Sequence, residues 1–88
     1  MRKMLLTALV MLSPAVLAGP ECTTVDKAEW QDKGEFQENL KAEGYKIKVF
    51  KVTEGNCYEI YGWNKEEQKV EIYFNPVTGD VVKEEIED

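Results

Sequence analysis

From Tyr45 onward, apolar and polar side chains change places at every second position. The alternation runs through residues 45–53, 57–63 and 69–75, with a shorter stretch near 80–83. A period of two marks strands with one buried face, so four strands are predicted. Their connections are short. Glu54-Gly55-Asn56 fits a tight hairpin loop, with Gly55 available for positive φ. Asn64 to Gln68 is a polar connection, and Pro76-Val77-Thr78-Gly79 is a turn in which Pro presets φ and Gly closes the corner. Strands joined this briefly form an antiparallel meander.

Ahead of the strands the pattern is helical. Asp32 suits an N-cap, and Glu35 three residues later gives a D-x-x-E variant of the capping box. Phe36 and Leu40 lie one turn apart as a narrow apolar stripe, and Gly44 is a natural C′ residue. A helix is predicted near 33–43, too short to persist without tertiary packing. Residues 19–31 show no period and read as irregular and extended. The expected fold is α+β: one N-terminal helix packed on a four-stranded antiparallel meander.

Loop lengths set the register. With Thr53 facing Cys57, Val52 faces Tyr58 and Phe50 faces Ile60. With Trp63 facing Lys69, Gly62 faces Val70, Ile60 faces Ile72 and Tyr58 faces Phe74. One face then carries Phe50, Val52, Tyr58, Ile60, Val70, Ile72 and Phe74, with Val81 from strand four, and the Phe36–Leu40 stripe should cover it. Ile47 fits neither face unless a bulge in strand one turns it inward. The opposite face carries Lys51 beside Glu59, Val49 beside Tyr61 and Glu71, and Trp63 beside Lys69, with Tyr73 among them. Tyr61, Trp63 and Tyr73 are therefore the candidate binding face, since aromatics exposed together mark contact surfaces. Two plainer readings stand beside this one. Cross-strand aromatics stabilise sheets, and residues 19–31 can fold over them, with Trp30 a contributor to such a cover.

The first 18 residues have a different pattern. Met1-Arg2-Lys3 is basic, Met4 to Leu12 is apolar except for Thr7, and Ser13-Pro14 ends any helix. Val16 and Ala18 then suit the −3 and −1 positions of a leader-peptidase site. That is the order of a secretory signal, and the apolar run is far below the roughly 20 residues of a membrane span. Gly19-Pro20-Glu21 separate the cleavage site from Cys22, so no lipid-modified cysteine is expected. Residues 1–18 read as a signal peptide and 19–88 as one mature domain, ending in a frayed acidic tail at Glu84–Asp88. After cleavage no membrane insertion is expected.

Composition narrows the chemistry. Of 88 residues, losing 18 leaves 70, a thin core in need of a staple. Cys22 and Cys57 are an even pair in an exported chain, which favours a disulfide over two free thiols. The helix runs antiparallel to strand one, so its N-terminus lies near the strand one–two turn, and Cys22 can reach Cys57 there. Closing that loop is worth about 3–4 kcal/mol in the chain-entropy account. The leader takes Arg2 and Lys3 with it and no acid, so the formal charge falls by two from −6 to −8. Such a chain repels nucleic acid and anionic membrane surfaces. Solubility is the plain consequence of that charge and a basic partner the sharper one. There is no histidine, and Ser13 in the leader is the only serine. Ser-His and Cys-His nucleophiles, imidazole bases and His-ligated zinc are thereby excluded. No phosphate-cradling loop, C-x-x-C pair or Ca²⁺-loop pattern occurs. No catalytic, cofactor-binding or metal-ligating residue is expected.

Three stretches resemble a PepSY domain: Phe36 to Tyr45, Cys57 to Tyr61, and Val70 to Val82. PepSY sequences typically end in an alternating apolar strand, an Asp or Asn, two variable positions, Thr-Gly, an acid and an apolar pair. Here those positions are Asn75, Thr78-Gly79, Asp80 and Val81-Val82. The resemblance covers about residues 30–84 and is similar to stand-alone periplasmic PepSY proteins of Gram-negative bacteria, which carry a signal peptide and this cysteine pair. It implies a helix on an antiparallel sheet and no catalytic residues. PepSY units occur in propeptides of secreted metallopeptidases, in proteins controlling cell-wall hydrolysis, and attached to membrane redox and sensor proteins. The implied function is a non-enzymatic periplasmic binding module whose partner is a peptidase restrained in trans. The alternative is an accessory or sensory domain for a membrane redox or signalling protein.

Overall fold

The computed structural model describes residues 19–87, so the predicted leader, residues 1–18, lies outside the described residues. A 3₁₀ turn at Lys27–Glu29 precedes α1 (Lys33–Ala42), followed by β1 (Lys46–Val52), β2 (Tyr58–Trp63), β3 (Lys69–Phe74) and β4 (Val81–Ile86). The strands form one antiparallel sheet in the order β1-β2-β3-β4, with α1 across one face. This is the α+β meander that the two periods predict.

Both helix ends follow from local chemistry. An Asp32 carboxylate oxygen accepts from the Glu35 N–H at 3.0 Å, which satisfies one of the donors every helix start leaves free. At the other end Gly44 takes φ 109°, the left-handed turn that lets the chain reverse into β1. α1 buries only Phe36 and Leu40. The Phe36 ring meets Tyr58 at 5.0 Å and Phe74 at 5.1 Å between centroids. Leu40, Ile60, Val70 and Ile72 complete the core, with Tyr45, Ile47, Phe50 and Val52 packed at its margin.

The register agrees with the loop lengths: Phe50↔Ile60, Val52↔Tyr58, Tyr58↔Phe74, Ile60↔Ile72 and Gly62↔Val70. A bulge between Ile47 and Val49 pairs Ile47 with Gly62 and brings it against the core. One extra residue on β1 restores the inward facing that strict alternation would lose.

Four expectations are revised. In the β1–β2 loop Asn56, at φ 63°, takes the left-handed conformation expected of Gly55. Gly55 is needed for another reason: a Cβ there would lie 2.1 Å from the Pro20 carbonyl oxygen. β4 runs on to Ile86, so Glu84 and Glu85 pair with Ile72 and Glu71 rather than fray. Backbone pairing does not require apolar side chains on a strand that stays wet on both faces. Val81 pairs with Phe74 but is 49% exposed, because α1 lies over Phe50, Tyr58 and Phe74 and leaves β4 uncovered. Trp30 joins the helix side of the sheet, edge-on to Tyr58 at 5.6 Å, with its Nε1–H donated to the Val25 carbonyl at 2.9 Å. It takes no part in covering the other face.

Candidate functional site

Cross-strand register arranges the outer face, opposite α1, in rows. The first row holds Lys51, Glu59, Tyr73 and Lys83; the second holds Val49, Tyr61, Glu71 and Glu85; the third pairs Trp63 with Lys69. Residues 19–22 form a strap at the edge of this face, with Gly19 against Tyr73 and Pro20 against Gly55. The disulfide between Cys22 and Cys57, with Cα atoms 5.1 Å apart, holds the strap at the β1–β2 end. The Cys22 N–H donates to the Gly55 carbonyl at 2.9 Å, and Asn75 Nδ2 donates to the Cys22 carbonyl at 3.1 Å. Asn75 thus locks the strap to the β3–β4 turn, where its Oδ1 also accepts from the Val77 N–H at 2.8 Å.

The strap divides the predicted aromatic trio. Tyr73 lies beneath Gly19 and is only 7% exposed. Tyr61 and Trp63 are half-buried and line an open groove of about 440 Å³ with Lys48, Val49, Lys51 and Lys69. The Lys51 ammonium stands over the Tyr61 ring, 5.5 Å from its centroid. Exposed lysines beside half-buried ring faces, with Glu87 the one acid of the groove lining, suit an acidic or carboxylate-bearing segment. The net charge of the chain points to a basic partner, whereas this groove favours the opposite sign. A sum over residues carries no information about where they gather.

Sequence reasoning misses the second feature of this face. Glu59 is 3% exposed, and its Oε2 has no hydrogen-bond partner among the described residues. Burial first, and then the adjoining Glu71, push its carboxyl up to about 7. Glu71 is held below the usual carboxylate range, chiefly by its hydrogen bond with Glu59 and further by the Tyr61 and Tyr73 hydroxyls. The Tyr73 hydroxyl donates to Glu71 Oε2 at 2.9 Å. Both phenols are raised, Tyr61 first by its bond to Glu71 and Tyr73 first by burial. The available signal was an acid at a central-strand position between tyrosines; without knowledge of the strap it reads as one more solvated charge.

A carboxyl near neutrality is the property of a general acid; Glu59 is 3% exposed and borders an open hollow with Lys51, Val52, Thr53 and Glu54. Glu71, Glu85 and Glu87 bring carboxylate oxygens within 4.8 Å of one another, an all-oxygen set of the kind hard cations accept. Glu85 and Glu87 are exposed, and such gatherings are ordinary on acidic surfaces.

Comparison with curated proteins and with solved structures returns no match. The model of the peptidase propeptide and YPEB domain family matches residues 2–85, a wider span than the motifs alone and one that includes most of the predicted leader. With the helix-on-meander fold and the Asn75 to Val82 ending in place, the chain belongs to the PepSY family, that of the peptidase propeptide and YPEB domain.

Proposed function

We propose that this PepSY chain is exported, loses residues 1–18, and works in the periplasm as a non-enzymatic module that binds a peptidase through the groove at Tyr61 and Trp63. The observation that carries the reading is the contrast within one sheet face. The strap buries Tyr73, while the adjoining Tyr61–Trp63 groove stays open and is rimmed by Lys48, Lys51 and Lys69. A large aromatic within a polar rim is the usual composition of a contact patch. The family supports a peptidase as partner, since its members include peptidase propeptides. Bound in trans, the module would restrain the enzyme by occupying its surface and would need no catalytic group of its own.

The test places a photo-crosslinking residue at Trp63 and, as a control, at Val82 on the exposed β4 strand. A periplasmic peptidase crosslinked from position 63 and not from position 82, and slowed by the purified domain, supports the reading. Equal capture from both positions, or an enzyme whose rate the domain leaves unchanged, rejects it.

A further inference from the structure

The Glu59–Glu71 pair has more negative charge than the described side chains neutralise. Among the described residues Glu59 is buried with Oε2 unpartnered, and the groups its carboxyl meets are Glu71 and the Tyr61 and Tyr73 hydroxyls. The charged and titratable groups around it are Lys51 on β1, Glu54 in the β1–β2 loop, Tyr61 on β2, Glu71 and Tyr73 on β3, and Lys83 and Glu85 on β4. Neither lysine makes an ion pair with Glu59 among the described residues. The Lys51 ammonium stands over Tyr61 at 5.5 Å, and Lys83 is engaged with Glu85 at 3.7 Å.

Gly19 lies at this place. A Cβ built on it would stand 2.7 Å from the Tyr73 ring and 3.0 Å from the Tyr73 hydroxyl oxygen, the same hydroxyl that donates to Glu71 at 2.9 Å. With φ 118° as well, Gly19 occupies a position where a side chain has neither room nor a relaxed backbone. The residue predicted to become the first of the mature chain is therefore pressed against the tyrosine that caps the carboxylate pair.

We propose that the α-ammonium group created at Gly19 by removal of residues 1–18 is the missing partner of the Glu59–Glu71 pair, so that processing itself completes the outer face. The inference rests on the export reading above. A leader peptidase hydrolyses the Ala18–Gly19 bond: water adds, Ala18 leaves as a carboxylate, and Gly19 keeps an amine that takes a proton from solvent at neutral pH, its ordinary pKa being about 8. Before cleavage that nitrogen is a neutral amide, and the two carboxyls avoid meeting as two charges by sharing a proton. The raised Glu59 carboxyl agrees with that unprocessed state. After cleavage a cation replaces the shared proton, Glu59 ionises, and the strap is tied at both ends, by the disulfide at Cys22 and by the ion pair at Gly19. A low-dielectric setting makes the attraction within such a pair stronger than that of a surface pair.

The test uses the exported protein. Its intact mass is measured first, to confirm that it starts at Gly19. Three chains are then titrated with ¹³C-labelled glutamate carboxyls: the processed chain, the same chain α-acetylated, and a chain that retains Ala18 before Gly19. The Glu59 midpoint should lie at least a full pH unit lower in the processed chain than in the other two, while the Gly19 amine titrates above its ordinary value and returns to it in Glu59→Gln. The core is untouched in all three chains, and the Ala18 form provides the reading if acetylation perturbs the strap. Equal Glu59 midpoints in the folded processed and Ala18-retaining chains would overturn the pairing and leave the export reading intact. Recovery of the chain with residues 1–18 intact would defeat the export reading, and any other first residue would remove the proposed cation.

Discussion

The two faces of this sheet are built on opposite principles. The inner face is apolar at each central position and is closed by a helix contributing two side chains, Phe36 and Leu40. Its stability comes from area and close packing, which are non-directional. The outer face is polar and aromatic, and at Tyr73 it is closed by residues 19–22, held by the disulfide and the Asn75 side chain. Burial there takes in the Glu59 carboxyl and the Tyr73 phenol, whose fit depends on particular partners. An apolar face tolerates any cover of the right shape, whereas a polar face needs a cover with the right groups.

Substitutions should separate the two principles, and the inner face should show the largest effect. Ile60→Ala and Ile72→Ala remove fully buried side chains from the middle of the core and should each cost roughly 2–5 kcal/mol by urea midpoint. A loss under about 1 kcal/mol would mean that the helix collapses into the vacancy and that packing is looser than the inner face suggests. Replacing Cys22 and Cys57 together by Ala should cost about 2–4 kcal/mol. It should also release the strap, read as faster hydrogen exchange at the Cys22 amide, which donates to Gly55. Lost stability with undiminished protection there would show that Asn75 alone holds the strap.

Trp63→Ala should sharpen the contrast further. It is expected to weaken capture of the partner by about 2 kcal/mol, the level of an interface hot spot, while moving the urea midpoint less than Ile60→Ala does. Equal losses of stability from both would make Trp63 part of the framework, and the groove would no longer be a candidate interface.

The last contrast is electrostatic and follows from Glu59. Where the Gly19 amine is blocked, the native Glu59 carboxyl titrates at about 7, above its ordinary 4.5. Between those values the folded chain keeps a proton that the unfolded chain has lost. The stabilising contribution is therefore complete below pH 4.5 and disappears as pH rises through 7. Urea midpoints of the α-acetylated chain should fall from pH 5 to pH 8, and Glu59→Gln should flatten that slope. Glu71 is shifted the other way, so its contribution is lost only in acid, below its ordinary 4.5. A slope that survives Glu59→Gln would move the titration to another group.

Much of the inner face is legible in the chain itself. Alternation assigns each side chain to a face, and short loops leave little freedom in register, so pairs such as Ile60↔Ile72 follow from counting. The helix start is equally local, because the Asp32 cap bonds only three residues along. The candidate site is legible only in part. Tyr61, Trp63 and Tyr73 are assigned to one face by parity, yet parity cannot distinguish the covered Tyr73 from the half-open Tyr61 and Trp63. The β1–β2 loop shows the same limit. Its tightness is readable, but Gly55 is required by the passing Pro20 carbonyl, and positive φ falls on Asn56.

By itself the sequence determined the strands, the helix and its cap, the register, the family and the absence of histidine chemistry, because periods, caps and loop lengths act between residues close along the chain. The tertiary structure alone decided that the strap crosses Tyr73, that Trp30 packs beside Tyr58, that β4 stands outside the helix's cover, and that Glu59 is buried without a full set of partners. Those outcomes depend on which distant segment displaces water from a given side chain. Water is displaced by closure in space, and no periodicity along the chain records it.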